Sequence, residues 1–184
     1  MIYVTEKEAA GVDLNSALAE SRAALAKLIA AGEKSGIGWT TPRAAGKWSP
    51  SQVIEHVARA LEESGKNMRG QPNAFPTMPV LVRPVIRGLF FNRILRKNTF
   101  PNARTNQAMN PAAGPPTPAD GRARLQQAHA LFERACKESG PRFNHGIFGD
   151  VSTADYARFQ ALHTLHHVSQ IPGASIADRA LGPE

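Results

Sequence analysis

The sequence predicts an all-α protein: a four-helix bundle with a long, basic crossover between its second and third helices. Three observations predict it. Four segments repeat their apolar residues at helical spacing. Most of their ends carry recognisable cap or stop residues. A Pro-rich stretch separates the second from the third. With 184 residues, the chain fits one domain with a full core, so a single unit over 1–184 is expected.

The first helix is expected over 14–34. Leu14, Leu18, Leu25 and Leu28 fall on one stripe, interrupted by Ser21, and Gly36 lies near its end. The second is expected over 50–65. Ser49 is its N-cap, Pro50 suits the first helical position, Gln52 completes a capping box and Gly65 is the stop. The crossover occupies 66–117. It holds one basic amphipathic segment, "RPVIRGLFFNRILRK", in which Pro84 opens a short helix with Ile86, Phe90 and Ile94 as its apolar side. Gly88 weakens that helix. "NPAAGPPTP" reads as an extended linker. The third helix, 118–138, has Thr117 as cap, Pro118 at its first position and Gly140 as terminator. Its apolar face is Leu125, Ala128, Leu131 or Phe132, and Ala135. The fourth, 153–171, is capped by Ser152, with Asp155 completing the box and Pro172-Gly173 ending it.

Net charge is +7, unevenly spread. No acidic residue occurs between Glu63 and Asp120, while Lys66, Arg69, Arg83, Arg87, Arg93, Arg96, Lys97 and Arg104 are basic. Outside this stretch the chain is close to neutral, so any electrostatic argument belongs to the crossover, above all to 80–104. The segment has the mixture of Phe, Leu and Arg found in interfacial helices. It carries no nucleic-acid reading motif, and packing its apolar side is the simpler use, so nucleic acid or a membrane surface is not the expected partner. It also suits attraction of an acidic substrate. Cys136 is the only cysteine, which excludes an internal disulfide and favours a reducing compartment. No secretory signal is evident at the N-terminus and no apolar run is long enough to span a bilayer, so a cytoplasmic protein is expected.

Three of the six histidines crowd into "ALHTLHHVSQI". At 100° per residue, Tyr156, Phe159, His163, His167 and Gln170 fall in one narrow sector of the fourth helix, with His166 at its edge. His163 and His167 are one turn apart, the usual spacing by which one helix provides two ligands to a metal. A third ligand must come from elsewhere. His56, in the second helix, is the choice, and His145, in "RFNHGIFG", is the alternative as ligand or rim residue. His129 reads as structural or exposed. Histidines near a helix C-terminus also complement the helix dipole, which is the simpler account of His166 and His167.

The patterns "WSPSQVIEHVA" and "HGIFGDVSTADYARFQALHTLHHVSQI", joined by a long crossover, resemble the DinB/YfiT-like metal-binding bundles, most closely an uncharacterised bacterial branch. The likeness covers roughly residues 14 to 172, and its specific motifs are Trp48 to His56 and His145 to Gln170. It implies a metal triad of His56, His163 and His167, with His166 not a ligand. It further implies a four-helix bundle, usually dimeric, that holds Zn²⁺ or Ni²⁺ with open coordination. Characterised members act on low-molecular-weight thiols as transferases or isomerases. The expected function is therefore a metal-dependent enzyme on a small molecule, a thiol S-transferase or a hydrolase. Three neutral imidazoles leave the ion its full double charge, able to acidify a water or thiol. The alternative is a metal- or ligand-holding bundle without turnover, or anionic-surface binding through the crossover. Glu63, seven residues beyond His56, and Tyr156 are the candidate catalytic residues. Gln170 and Tyr156 are placed to orient a ligand, with His145 and His166 beside the site.

Overall fold

A computed structural model describes residues 13–101 and 106–174. The described chain is mostly helical, with one small two-stranded sheet. Four long helices, α1 (Leu14–Lys34), α2 (Pro50–Met68), α5 (Pro118–Glu138) and α6 (Thr153–Val168), surround the core. Two short ones, α3 (Arg83–Ile86) and α4 (Asn92–Lys97), lie between α2 and α5. Helix α1 packs along α6 and α2 along α5, with thinner contacts between the two pairs. None of the helices is long and apolar enough to cross a membrane among the described residues.

Local chemistry sets the helix starts. Asp13 accepts from the Ser16 amide. The Ser49 hydroxyl accepts from Gln52 N–H while the Gln52 side chain accepts from Ser49 N–H, closing the capping box. Thr117 accepts from Asp120 N–H and Ser152 from Asp155 N–H. Two ends differ from expectation. Helix α2 runs through Gly65 to Met68. Gly65 is buried inside the helix facing α5, where an added Cβ would make only ordinary contact with Ala135 and the Leu131 carbonyl, so it neither ends the helix nor is required by the packing. Helix α6 stops at Val168, and a turn carries the chain on to Ile171.

Leu18, Leu25 and Leu28 of α1, Val53, Ile54, Val57 and Leu61 of α2, and Leu162, Leu165 and Val168 of α6 fill the core. Phe132, not Leu131, is the core residue of α5. Each such side chain contributes about 1.5–3 kcal/mol by leaving water. Ser21, the polar break in the α1 stripe, is buried because its hydroxyl meets His129 Nε2 at 3.0 Å, which gives His129 a structural role. On the outside, Arg124 of α5 clamps both carboxylate oxygens of Glu62 and reaches Glu55 on α2.

Three features were not expected from the sequence. Arg142–His145 (β1) and Gly149–Ser152 (β2) form an antiparallel hairpin ahead of α6, with His145 paired to Gly149. The expected helix after Pro84 is present, running from Arg83 to Lys97, but it contains an unexpected π-helical turn over Arg87–Phe91. Its apolar side packs as expected, with Ile94 buried and Ile86 and Phe90 half-buried, and Phe91 joins the core as well. Finally, "NPAAGPPTP" is not a free linker. Residues 106–116 form a strap lying against the start of α2. The Pro115 carbonyl accepts from Trp39 Nε1 and Ser51 Oγ, and Gln52 Nε2 donates to the carbonyls of Pro111 and Ala112. Arg104 lies outside the described residues.

Candidate metal centre

Helix α2 presents His56 and helix α6 presents His163 and His167 to a single point. His163 Nε2 lies 3.3 Å from His56 Nε2 and 3.0 Å from His167 Nε2, and one ligand atom from each ring falls within 4.8 Å of the others. His56 and His167 are buried and His163 is half-buried.

Hydrogen bonds at the far side of two rings fix which nitrogen is free. His56 Nδ1–H donates to the Met109 carbonyl of the strap at 2.8 Å. His167 Nδ1–H donates to Gln170 Oε1 at 3.0 Å. Both rings therefore aim unprotonated Nε2 lone pairs inward. Burial pushes the pKa of all three imidazoles down, most strongly for His163 and His167, where neighbouring histidines add to it; at His56, Arg59 and His166 add to it. A proton on His163 Nε2 can satisfy only one of the other two lone pairs, whereas a cation among the three nitrogens satisfies all of them. Zn–N bonds of about 2.0–2.1 Å in tetrahedral array would place nitrogens roughly 3.4 Å apart. The donor set thus fits a divalent transition-metal ion.

Gln170 links the remaining histidine. Its amide oxygen serves His167 while its Nε2 donates to His166 Nε2 at 3.1 Å. His166 stands beside the triad and reaches it through Gln170, besides touching the ring of His167. Trp48 covers His56, ring centroids 4.7 Å apart, and is itself held by Asn110 Oδ1.

The triad opens onto a cavity of about 290 Å³. Phe75, Phe90, Phe100, Phe148 and Phe159 wall it. Asn106 Nδ2 donates to the Ala74 carbonyl, tying together two of the loops that close it. No carboxylate, lysine or arginine lines the cavity among the described residues.

Tyr156 and His145 lie in the same cavity but belong to a separate buried network. His145 Nδ1 accepts from Ile147 N–H, so its Nε2–H donates to the Tyr156 hydroxyl. Tyr156 donates in turn to Ser64 Oγ, and Gln160 Nε2 donates to both hydroxyls. Both nitrogens of His145 are engaged, so it is not free to act as a ligand; it is 1% exposed and lines the cavity beside the triad. Burial pushes the Tyr156 phenol up to about 12, which suits a fixed hydrogen-bonding group and not a base. Glu63 does not enter the cavity. Its carboxylate binds Lys66 and the Ala74 amide, a structural use that anchors the loop after α2.

Burial holds the His145 imidazole down at about 4, with Arg83 adding to the effect. A group with a depressed folded pKa is neutral in both states above its unfolded value of 6.5. Stability is therefore lost as pH falls from there toward 4. In chelator, wild type is expected to lose roughly 2 kcal/mol more than His145→Gln between neutral pH and about pH 4.5. Equal losses in urea titrations would show that His145 does not carry this acid sensitivity.

The fold and the site together define a mostly helical protein that gathers three imidazoles from two helices at one end of an aromatic cavity. The chain belongs to the family described as protein of unknown function DUF1569, whose family model matches residues 15–173. No curated protein and no solved structure matches it.

Proposed function

We propose that the protein is a metal-dependent enzyme acting on a small molecule, with a thiol S-transferase preferred over a hydrolase. The observation that carries this reading is the triad: three neutral Nε2 atoms converge at a cavity wall, two of them in tautomers fixed from behind. The resemblance of "WSPSQVIEHVA" and "HTLHHVSQI" to DinB/YfiT-like four-helix bundles supports it, and supports a homodimer.

His56, His163 and His167 would hold the ion, Zn²⁺ or Ni²⁺. Bound there, a divalent cation supplies Lewis-acid chemistry that makes a thiol or water acidic near neutrality. Met109 and Gln170 hold the ring orientations. The phenylalanine wall excludes water and accommodates an apolar body. No carboxylate lines the cavity among the described residues to assist hydrolysis, and a thiol, far more acidic than water, is the easier nucleophile to generate on the ion. The same lack is what a bundle that only holds a ligand would show, so turnover with thiol donors separates the two. The primary test is elemental analysis of protein purified without added metal. About one equivalent of transition metal per chain is expected; less than a tenth, with no uptake of Zn²⁺ on titration, sinks the proposal.

A further inference from the structure

We infer that the outer face of the Arg83–Lys97 helix, with the Val80–Val82 turn before it, docks on an anionic lipid surface. Six large apolar side chains are exposed among the described residues, and five of them, Val80, Leu81, Val82, Val85 and Leu89, fall within ten positions here. Leu81 is 90% and Leu89 72% exposed. They are not leftovers of poor packing, because the helix has a separate inner side on which Ile86, Phe90, Phe91 and Ile94 meet the core. The segment is also firmly tied down. Met78 N–H donates to the Gly146 carbonyl, Arg83 Nε to the Met78 carbonyl and Arg87 to the Asp150 carbonyl. What it presents outward is therefore a fixed apolar ridge.

Next to that ridge stand Arg93, Arg96 and Lys97, all exposed and without a hydrogen-bond or ion-pair partner among the described residues. The nearest acid in contact with the segment, Asp150, is engaged by Arg142. An apolar ridge flanked by unpaired cations matches the two layers of an anionic bilayer, acyl chains below and phosphate or carboxylate groups above. A second copy fits less well. A two-fold contact through this face would bring two sets of the same cations together with no acid in the segment to pair them. Nucleic acid would pair the cations and leave the ridge wet. The inference stands independently of the metal reading, since none of these side chains touches the triad.

Sedimentation of the full chain with vesicles tests it. Binding to phosphatidylcholine vesicles containing about 30% phosphatidylserine is expected to exceed binding to phosphatidylcholine alone by at least about tenfold. Leu81→Asp with Leu89→Asp, and separately Arg93→Glu with Arg96→Glu and Lys97→Glu, should each remove at least about tenfold. All five positions are exposed, so the helical circular dichroism spectrum should be unchanged. As a second reading, Leu89→Trp should be quenched by brominated acyl chains. Equal weak binding to both vesicle types overturns the inference, as does binding that both variants retain. A wild-type dimer that Leu89→Asp splits, with no vesicle binding, assigns the ridge to a second copy instead. Duplex DNA binding without vesicle binding assigns the cations to nucleic acid.

Discussion

Exchange of His163 for alanine is expected to weaken Zn²⁺ binding by about a hundredfold to a thousandfold. Structural zinc sites bind with roughly 10–16 kcal/mol spread over four ligands, so one imidazole is worth roughly 3 kcal/mol. His163 is the central nitrogen, in contact with both His56 and His167, so its removal leaves two donors that no third one bridges. The informative experiment is a graded series measured by competition with a chromophoric chelator. Gln170→Leu should lose about tenfold, because His167 keeps its nitrogen but not the bond that fixes its tautomer. His166→Ala should lose less than that, since its hydrogen bond to the site runs through Gln170 alone. Equal losses in His166→Ala and His163→Ala would mean that the ion, if bound, sits elsewhere.

Gly114→Ala is expected to destabilise the protein by about 3–5 kcal/mol. A Cβ built there would stand 2.1 Å from the Ser51 carbonyl oxygen and 2.4 Å from its carbon. Those are backbone atoms in the first turn of α2 and cannot swing aside. The strap must lift, and the bonds from Trp39 and Ser51 to Pro115 and from Gln52 to Pro111 and Ala112 go with it, each worth roughly 1 kcal/mol. Gly38→Ala, where an added Cβ meets nothing within 4 Å, is the control and should stay within about 1 kcal/mol. Urea unfolding measures both. The strap also carries Met109, whose carbonyl orients His56, so Gly114→Ala should lower Zn²⁺ affinity by about tenfold as well. A variant within 1 kcal/mol of wild type would show that the strap is not held against α2.

The parts of this protein legible in its sequence are those whose chemistry is local. Ser49, Thr117 and Ser152 announce helix starts because a cap and its amide lie three residues apart. Tyr156, Phe159, His163 and His167 line one cavity because a fixed 100° step puts them on one side of α6, and the turn that follows brings Gln170 to the same side. The strap was illegible for the opposite reason. Proline-rich chain has no period, and its anchoring groups are backbone carbonyls that every residue possesses, Met109 among them. The hairpin was hidden by its brevity, since four-residue strands show too little alternation to register. Phe75, Phe100 and Phe148 share a cavity with the triad but come from three separate loops; only Phe148 falls within a recognised motif, and nothing there marks it as facing the triad. Gly65 misled because a glycine that ends a helix and one buried within it look alike in a string of letters.

The π-helical turn over Arg87–Phe91 bears on how members of this family should be compared. Phe90 and Phe91 are adjacent, yet one walls the cavity and the other enters the core. A wide turn of i to i+5 bonds holds one residue more than an α-helical turn does. The shape of this cavity wall is thus governed by a residue count as much as by residue type. A relative that keeps both phenylalanines but has one position fewer here would enclose a chamber of different shape. Length across this turn, not identity at its aromatic positions, is then the character by which to sort DUF1569 chains into groups sharing a ligand.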